Sequence, residues 1–246
     1  MDRLIYIAMN GAKHSLIQQA VTANNLANAS TTAYKSQINA FRAVPVVGPG
    51  TATRTFVVDS TPGADLSSGT MQSTGRPLDV AVQGDGWIAV QDAKGQEAYT
   101  RNGSLQVTSS GQLVTSNGLP VIGDGGPISI PPDSEVTVGQ DGTISVVTNS
   151  QYNATSAVAR IKLVNPPDAS MVRGDDGLFR QANGQPAATD AAVSLASGTL
   201  EASNVSSVNA LISMIDQSRF FDMQVQLLQK AGENDTKALQ VLSLSA

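Results

Sequence analysis

The placement of helix breakers constrains this chain more than any other feature. All 11 prolines, and every one of the 22 glycines except Gly11 and Gly232, lie between Arg42 and Ser203. Proline removes a backbone donor and glycine carries the largest ordering entropy, so long helices are favoured at the two ends and disfavoured in the middle. In the first segment apolar or small residues recur at Ile5, Ala8, Ala12, Leu16, Ala20, Ala23 and Leu26, the spacing of an amphipathic helix. It would run roughly 40 Å before Ser30, Thr31 and Thr32 end the pattern. In the last segment Val208, Leu211, Ile212, Ile215, Met223, Leu227, Ala231, Ala238 and Val241 follow one drifting stripe. Ser203 or Asn204 can cap its start, and Lys230 and Lys237 sit toward its negative end.

The middle alternates short β-type runs with turns. The runs are 78–82, 87–90, 105–107, 112–115, 135–138, 143–147 and 158–164. Asp-Gly or Asn-Gly pairs punctuate them, ending at Gly86, Gly103, Gly118, Gly125, Gly142, Gly177 and Gly184, and such pairs supply the positive φ of tight hairpins. The expected fold is therefore α+β. Residues 1–42 and 204–246 form a discontinuous coiled-coil domain, 43–75 an extended connector, and 76–203 an antiparallel β domain.

Catalytic constellations are scarce. The single histidine, His14, sits inside the first helical segment, where a polar position on a helix face accounts for it. Without cysteine there is no disulfide, thiolate zinc site or cysteine nucleophile. Asp175 and Asp176 are the one adjacent acidic pair, but no further carboxylates follow at Ca²⁺-ligand spacing, so they read as a solvated turn. Trp87 lies in an apolar run and reads as core. The chain predicts no catalytic, cofactor or metal site. A net charge of −5 offers no basic footprint for nucleic acid or an anionic membrane surface. The early apolar run 4–9 is too short for a secretory h-region or a bilayer span.

What remains is architectural. A helix of this length owes its stability to burying its stripe, and one hairpin of two such helices leaves apolar surface exposed. Copies stacked head to tail would bury it, and such contacts build open helical assemblies.

Specific residues then match a known family. Asn24-Asn25-Leu26-Ala27-Asn28-Ala29-Ser30-Thr31, followed by Tyr34-Lys35, resembles the N-terminal signature of bacterial flagellar rod and hook proteins. Segments 77–82 with 84–87, 99–103 and 197–205 agree with it. Within the family the opening residues 1–6 and the segment 41–45 look more like the proximal than the distal rod proteins. Two positions depart: Ala33 stands where the family usually has Gly, and Tyr34 where it has Phe. If that position is left-handed, Ala33 costs about 1 kcal/mol, so a different local turn is expected.

The resemblance implies a non-enzymatic axial subunit of the flagellar basal body. It implies export by the flagellum's own type III apparatus without a cleaved signal, and polymerisation in the periplasm around a central channel. The terminal helices would form an inner tube that transmits torque, with the β domain outside. Its partners would be copies of itself and other proximal and distal rod subunits, with neither nucleic acid nor membrane insertion. Ile5, Leu16, Asn24, Asn25, Leu26, Asn28, Val208, Ile212, Ile215, Met223 and Leu227 are the candidate subunit interface, the asparagines as register-setting polar residues on a helix seam. The alternatives are a distal rod or hook-type subunit of the same family and, from another class, a secreted coiled-coil-tethered β-domain adhesin.

Overall fold

Long helices form where the breakers are absent. Helix α1 spans Asp2–Ala27 and α2 spans Ser207–Leu244, 26 and 38 residues, or about 39 and 57 Å. The computed structural model describes residues 2–45, 55–132, 134–148 and 155–244. They fall into two units, one of Met1–Ala29, Gln37–Asp65 and Val205–Ala246, the other of Ser30–Ser36 and Leu66–Asn204.

In the helical unit α1 and α2 run antiparallel, with Gly11 beside Gln224 and Ser15 and Thr22 beside Gln217. The covered positions of α2 include Ala210, Met214, Gln217, Phe221, Gln224, Leu228 and Ala231, with Val225 beside them, and those of α1 include Ala8, Ala12, Ser15, Gln19 and Thr22. Steps of four and three alternate along both rows, the heptad phase of a coiled-coil seam. The seam is thus small and polar on α1, and on α2 it mixes alanine and glutamine with Met214, Phe221 and Leu228. Of the stripe read from the sequence, Ala231 joins it, whereas Val208, Leu211, Ile212, Ile215, Met223 and Leu227 face away. The side chains of Ala238 and Val241 lie outside the described residues. On α1 the seam positions hold small or polar residues, which let two helix backbones approach closely.

A second face of α1, Asn10, His14, Ile17 and Val21, is partly covered. Strands β1 (Gln37–Pro45) and β2 (Thr55–Ala64) lie against this helix as an antiparallel ribbon, pairing from Gln37↔Ala64 to Pro45↔Thr55 with a bulge between Ile38 and Ala40. The Asn10 amide and the His14 Nε2–H both donate to the Val57 carbonyl, at 3.3 and 2.8 Å. The expected connector 43–75 is therefore corrected. Much of it is a paired ribbon, invisible to an alternation test because β1 leaves most of its side chains exposed on both faces.

The other unit is antiparallel β throughout. Its largest sheet orders five strands as Leu163–Val164, Trp87–Gln91, Glu97–Thr100, Phe179–Gln181 and Met171–Arg173, and a second orders Ser134–Val138, Thr143–Thr148 and Thr155–Arg160. Trp87 to Val90 are buried on both faces, so this strand shows no inside-outside alternation. Val80, Ile88, Leu105, Ile144, Leu163 and Leu195 centre one core. Five of the seven Asx-Gly glycines take positive φ; Gly103 and Gly125 do not. Gly103 is needed for another reason, since a Cβ there would collide with the Val80 carbonyl.

This unit reaches beyond 76–203 at its start, because Ser30–Ser36 and Leu66–Gly75 belong to it. They are held by buried charge. Lys35 Nζ donates to Glu201 Oε1 and to the Ser67 carbonyl, both at 2.7 Å. Arg101 reaches the other oxygen of Glu201 at 3.1 Å, and the Gly69 amide donates to Oε1 at 2.8 Å. Arg101 also donates to the carbonyls of Gly86 and Gly84, at 3.0 and 2.6 Å. Lys35 and Glu201 are fully buried and Arg101 nearly so. The segments carrying the sequence signature, 34–35, 99–103 and 197–205, thus meet at one carboxylate, and 84–87 joins them through Arg101.

Above the cluster, the Ala33 amide donates to the Glu201 carbonyl at 2.8 Å. Ala33 has φ 56°, the one non-glycine with positive φ among the described residues. The expectation of a different turn fails: alanine keeps the left-handed conformation, held by the bonds on either side. Elsewhere Arg180 donates to Asp92 at 2.7 Å and to Asp176 at 2.6 Å. These hydrogen bonds hold both carboxyls below the usual carboxylate range.

Three outcomes are expected. Glu201→Gln leaves two buried cations without their anion and should destabilise the β unit by about 3–5 kcal/mol, read by denaturant titration of fluorescence from Trp87, the sole tryptophan. Ala33→Gly should stabilise the same transition by about 0.5–1 kcal/mol through relief of the left-handed strain. Because Asp92 and Asp176 have depressed pKa values when folded, their contribution is present above the unfolded value of about 3.9 and lost as pH falls below it. A stability profile from about pH 5 to about pH 3 should therefore fall, and Arg180→Gln should flatten that fall.

Candidate assembly surface

The helical unit carries the functional candidates. Along α2, Val208, Ile212, Ile215, Met223 and Leu227 leave 50–63% of their surface open. Leu211 and Phe220 extend this row, and Leu16 with Tyr6, Ile7 and Met9 makes an apolar exposure on α1. Ile5 and Leu26 are half-buried. Sequence reading nominated neither Phe220 nor the trio at the start of α1; their signal was simply a large apolar residue off the chosen stripe.

This surface is unusual for its chemistry. A two-helix hairpin ordinarily buries its largest apolar residues and exposes its polar ones. Here alanine, serine, threonine and glutamine share the seam with Met214, Phe221 and Leu228, while a larger set of apolar side chains, Val208, Leu211, Ile212, Ile215, Phe220, Met223 and Leu227, faces outward. A contiguous apolar surface of this kind marks a site of association.

The three nominated asparagines are engaged within the chain. The Asn25 side chain accepts from the Gln37 amide at 2.8 Å and donates to its carbonyl at 2.9 Å, closing the chain from α1 to β1 as a strand neighbour would. The Asn28 amide donates to the Asn24 carbonyl at 2.9 Å and lies 3.4 Å from its side-chain oxygen. They shape the end of α1.

The remaining chemical candidates are accounted for by packing. His14 contacts Phe41 edge-on, ring centroids 5.4 Å apart, as well as Val57. Asp176 accepts from the Leu178 amide and pairs with Arg180. Trp87 stacks on Phe179 at 4.5 Å. Tyr99, its hydroxyl donating to Glu97 and accepting from the Ala187 amide, has its pKa pushed up to about 12 by burial. Among the described residues no three or more His, Asp or Glu side chains gather as a metal would need, and no helix is long and apolar enough to cross a membrane.

Comparison with known proteins agrees with this architecture. Residues 5–35 match the family described as flagella basal body rod protein. Residues 81–146 match the flagellar hook protein FlgE/F/G D1 domain, and 196–241 the flagellar basal body rod FlgEFG protein C-terminal family. The chain is 50% identical over 252 residues to the flagellar basal-body rod protein FlgF of Salmonella typhimurium, covering all of both chains. It is 34% identical to FlgF of Caulobacter vibrioides over 98% of each. With FlgG of Buchnera aphidicola from Schizaphis graminum it shares 30% identity over 93% of this chain and 98% of that one. The chain is accordingly a member of the flagellar basal-body rod protein family, most like FlgF, and a structural subunit of that rod.

Proposed function

We propose that this subunit polymerises through the outward faces of α1 and α2, in the proximal part of the rod. In this reading the helices of successive copies bury Leu16, Val208, Ile212, Ile215, Met223 and Leu227 against one another and build a tube around a channel. Copies of the chain and other rod subunits are its partners. The flagellar type III apparatus delivers it to the periplasm without cleavage of a signal. The exposed apolar row of α2 carries the proposal, since full burial of one such side chain contributes roughly 1.5–3 kcal/mol. The eleven exposed large apolar side chains described along the two helices would together offset the cost of ordering an added subunit. The contacts join different patches on neighbouring copies, so the assembly stays open and grows along an axis.

Higher similarity to FlgF than to FlgG proteins supports the proximal position. The family's structural character supports a role without catalysis, and nothing in these similarities favours an adhesin.

Ile215→Asp places a charge in the proposed contact. It should abolish incorporation into basal bodies and swimming, while Trp87 fluorescence and the unfolding midpoint of the β unit stay at the parent values. Normal incorporation of Ile215→Asp would overturn the assembly surface. Cross-linking from position 215 in assembled basal bodies should capture another rod subunit or a second copy, and capture of neither would also count against it.

A further inference from the structure

We propose that two glutamines of α2, Gln217 and Gln224, set the register in which α1 and α2 pair. At the first, the Ser15 hydroxyl donates to the Gln217 carbonyl and the Gln217 amide donates to the Thr22 hydroxyl, both at 2.9 Å. Thr22 in turn donates to the Gln18 carbonyl at 2.9 Å. The amide oxygen of Gln217 is buried there without a hydrogen-bond partner. A side chain placed at such a cost to stability is the kind that specifies pairing in helical seams. At the second point α1 has no side chain: a Cβ on Gly11 would sit 3.1–3.4 Å from the amide group of Gln224. Gly11 is the only glycine in α1, and its absent side chain makes the notch that Gln224 fills.

The two points work only together. Gln217 and Gln224 lie seven residues apart, so sliding α2 by one heptad, about 10 Å, brings one glutamine to the other's site. In one direction Gln224 reaches Ser15 and Thr22, but Ala231 then faces the Gly11 notch. In the other Gln217 reaches Gly11, and Ala210 faces Ser15 and Thr22. Each slip leaves one site against alanine, with a void at the notch or a lost amide donor for the Thr22 hydroxyl. The rest of the seam distinguishes these registers less, because Ala8, Ala12, Ala210 and Ala231 are alike in size and a heptad slip exchanges one of Met214, Phe221 and Leu228 for another large apolar side chain.

The chain has no cysteine, so spin labels can be placed cleanly at the exposed Lys13 and Asp222 positions by substitution to cysteine. Distances should be measured in the full-length chain, free and in basal bodies. The parent should give one narrow distance in at least one of these states. Gln217→Leu/Gln224→Leu removes both points and supplies apolar residues at seam positions. It should keep helix content by circular dichroism and add a second distance population from pairs displaced by about 10 Å along the helix. Gln217→Leu alone, with the notch intact, should add less of it.

A single unchanged distance in the double-leucine variant would overturn the proposal, as would loss of its helix content or several distances in the parent in both states. The readout lies within one chain. Normal register with failed incorporation would therefore weigh against the assembly surface and leave this inference standing.

Discussion

The β unit is organised around a carboxylate that water cannot reach. Glu201 lies 166 residues from Lys35 and 100 from Arg101, yet one of its oxygens meets each cation. Burying these charges is expensive, and the attraction between them repays the cost only when every remaining donor is met. Here the carbonyls of Ser67, Gly84 and Gly86 and the Ser68 hydroxyl accept from the two cations, and the Gly69 amide donates to the carboxylate. The cluster carries one more cation than anions, and those carbonyls take the place of water around the excess. Because Lys35 follows the end of α1 and Glu201 precedes the start of α2, both passages of chain into the helices leave from segments tied to this point. Asn204 reinforces it, accepting from the Ser36 amide at 2.8 Å and donating to the Ser67 carbonyl at 3.2 Å.

The helical unit follows the opposite economy. Its seam hydrogen-bonds across through serine, threonine and glutamine and buries only a few large apolar residues, Met214, Phe221 and Leu228. Most of the large apolar residues are left outward on both helices. In a monomer this arrangement would be a liability for aggregation. In the proposed assembly it would keep the larger hydrophobic gain for contact with neighbours.

The ribbon of β1 and β2 shows how local chemistry and distant contacts divide the work. Asn25 presents its amide to Gln37 as a strand would, so the first residue of β1 is satisfied before the ribbon starts. The ribbon then lies along α1 through Asn10 and His14. His14, the chain's single histidine, is thereby a packing residue whose hydrogen bond crosses from helix to strand.

Several elements were legible without any tertiary information. Breaker placement and three-and-four spacing located both helices, and alternating runs between Asx-Gly pairs located the strands at 105–107, 135–138 and 143–147 almost residue for residue. These features depend on backbone preferences that act within a few residues. The strands at 97–100, 171–173 and 179–181 escaped, since they are short and owe their existence to the neighbours they pair with. The family signature was equally readable, but not why its pieces stand where they do. Which apolar row of α2 faces α1, which charge answers Glu201, and whether Ala33 holds a left-handed turn were decided only by tertiary structure. Each depends on the volume, charge or hydrogen bonds of residues far away in the chain, and periodicity, which shows that a helix has faces, carries no record of what each face will meet.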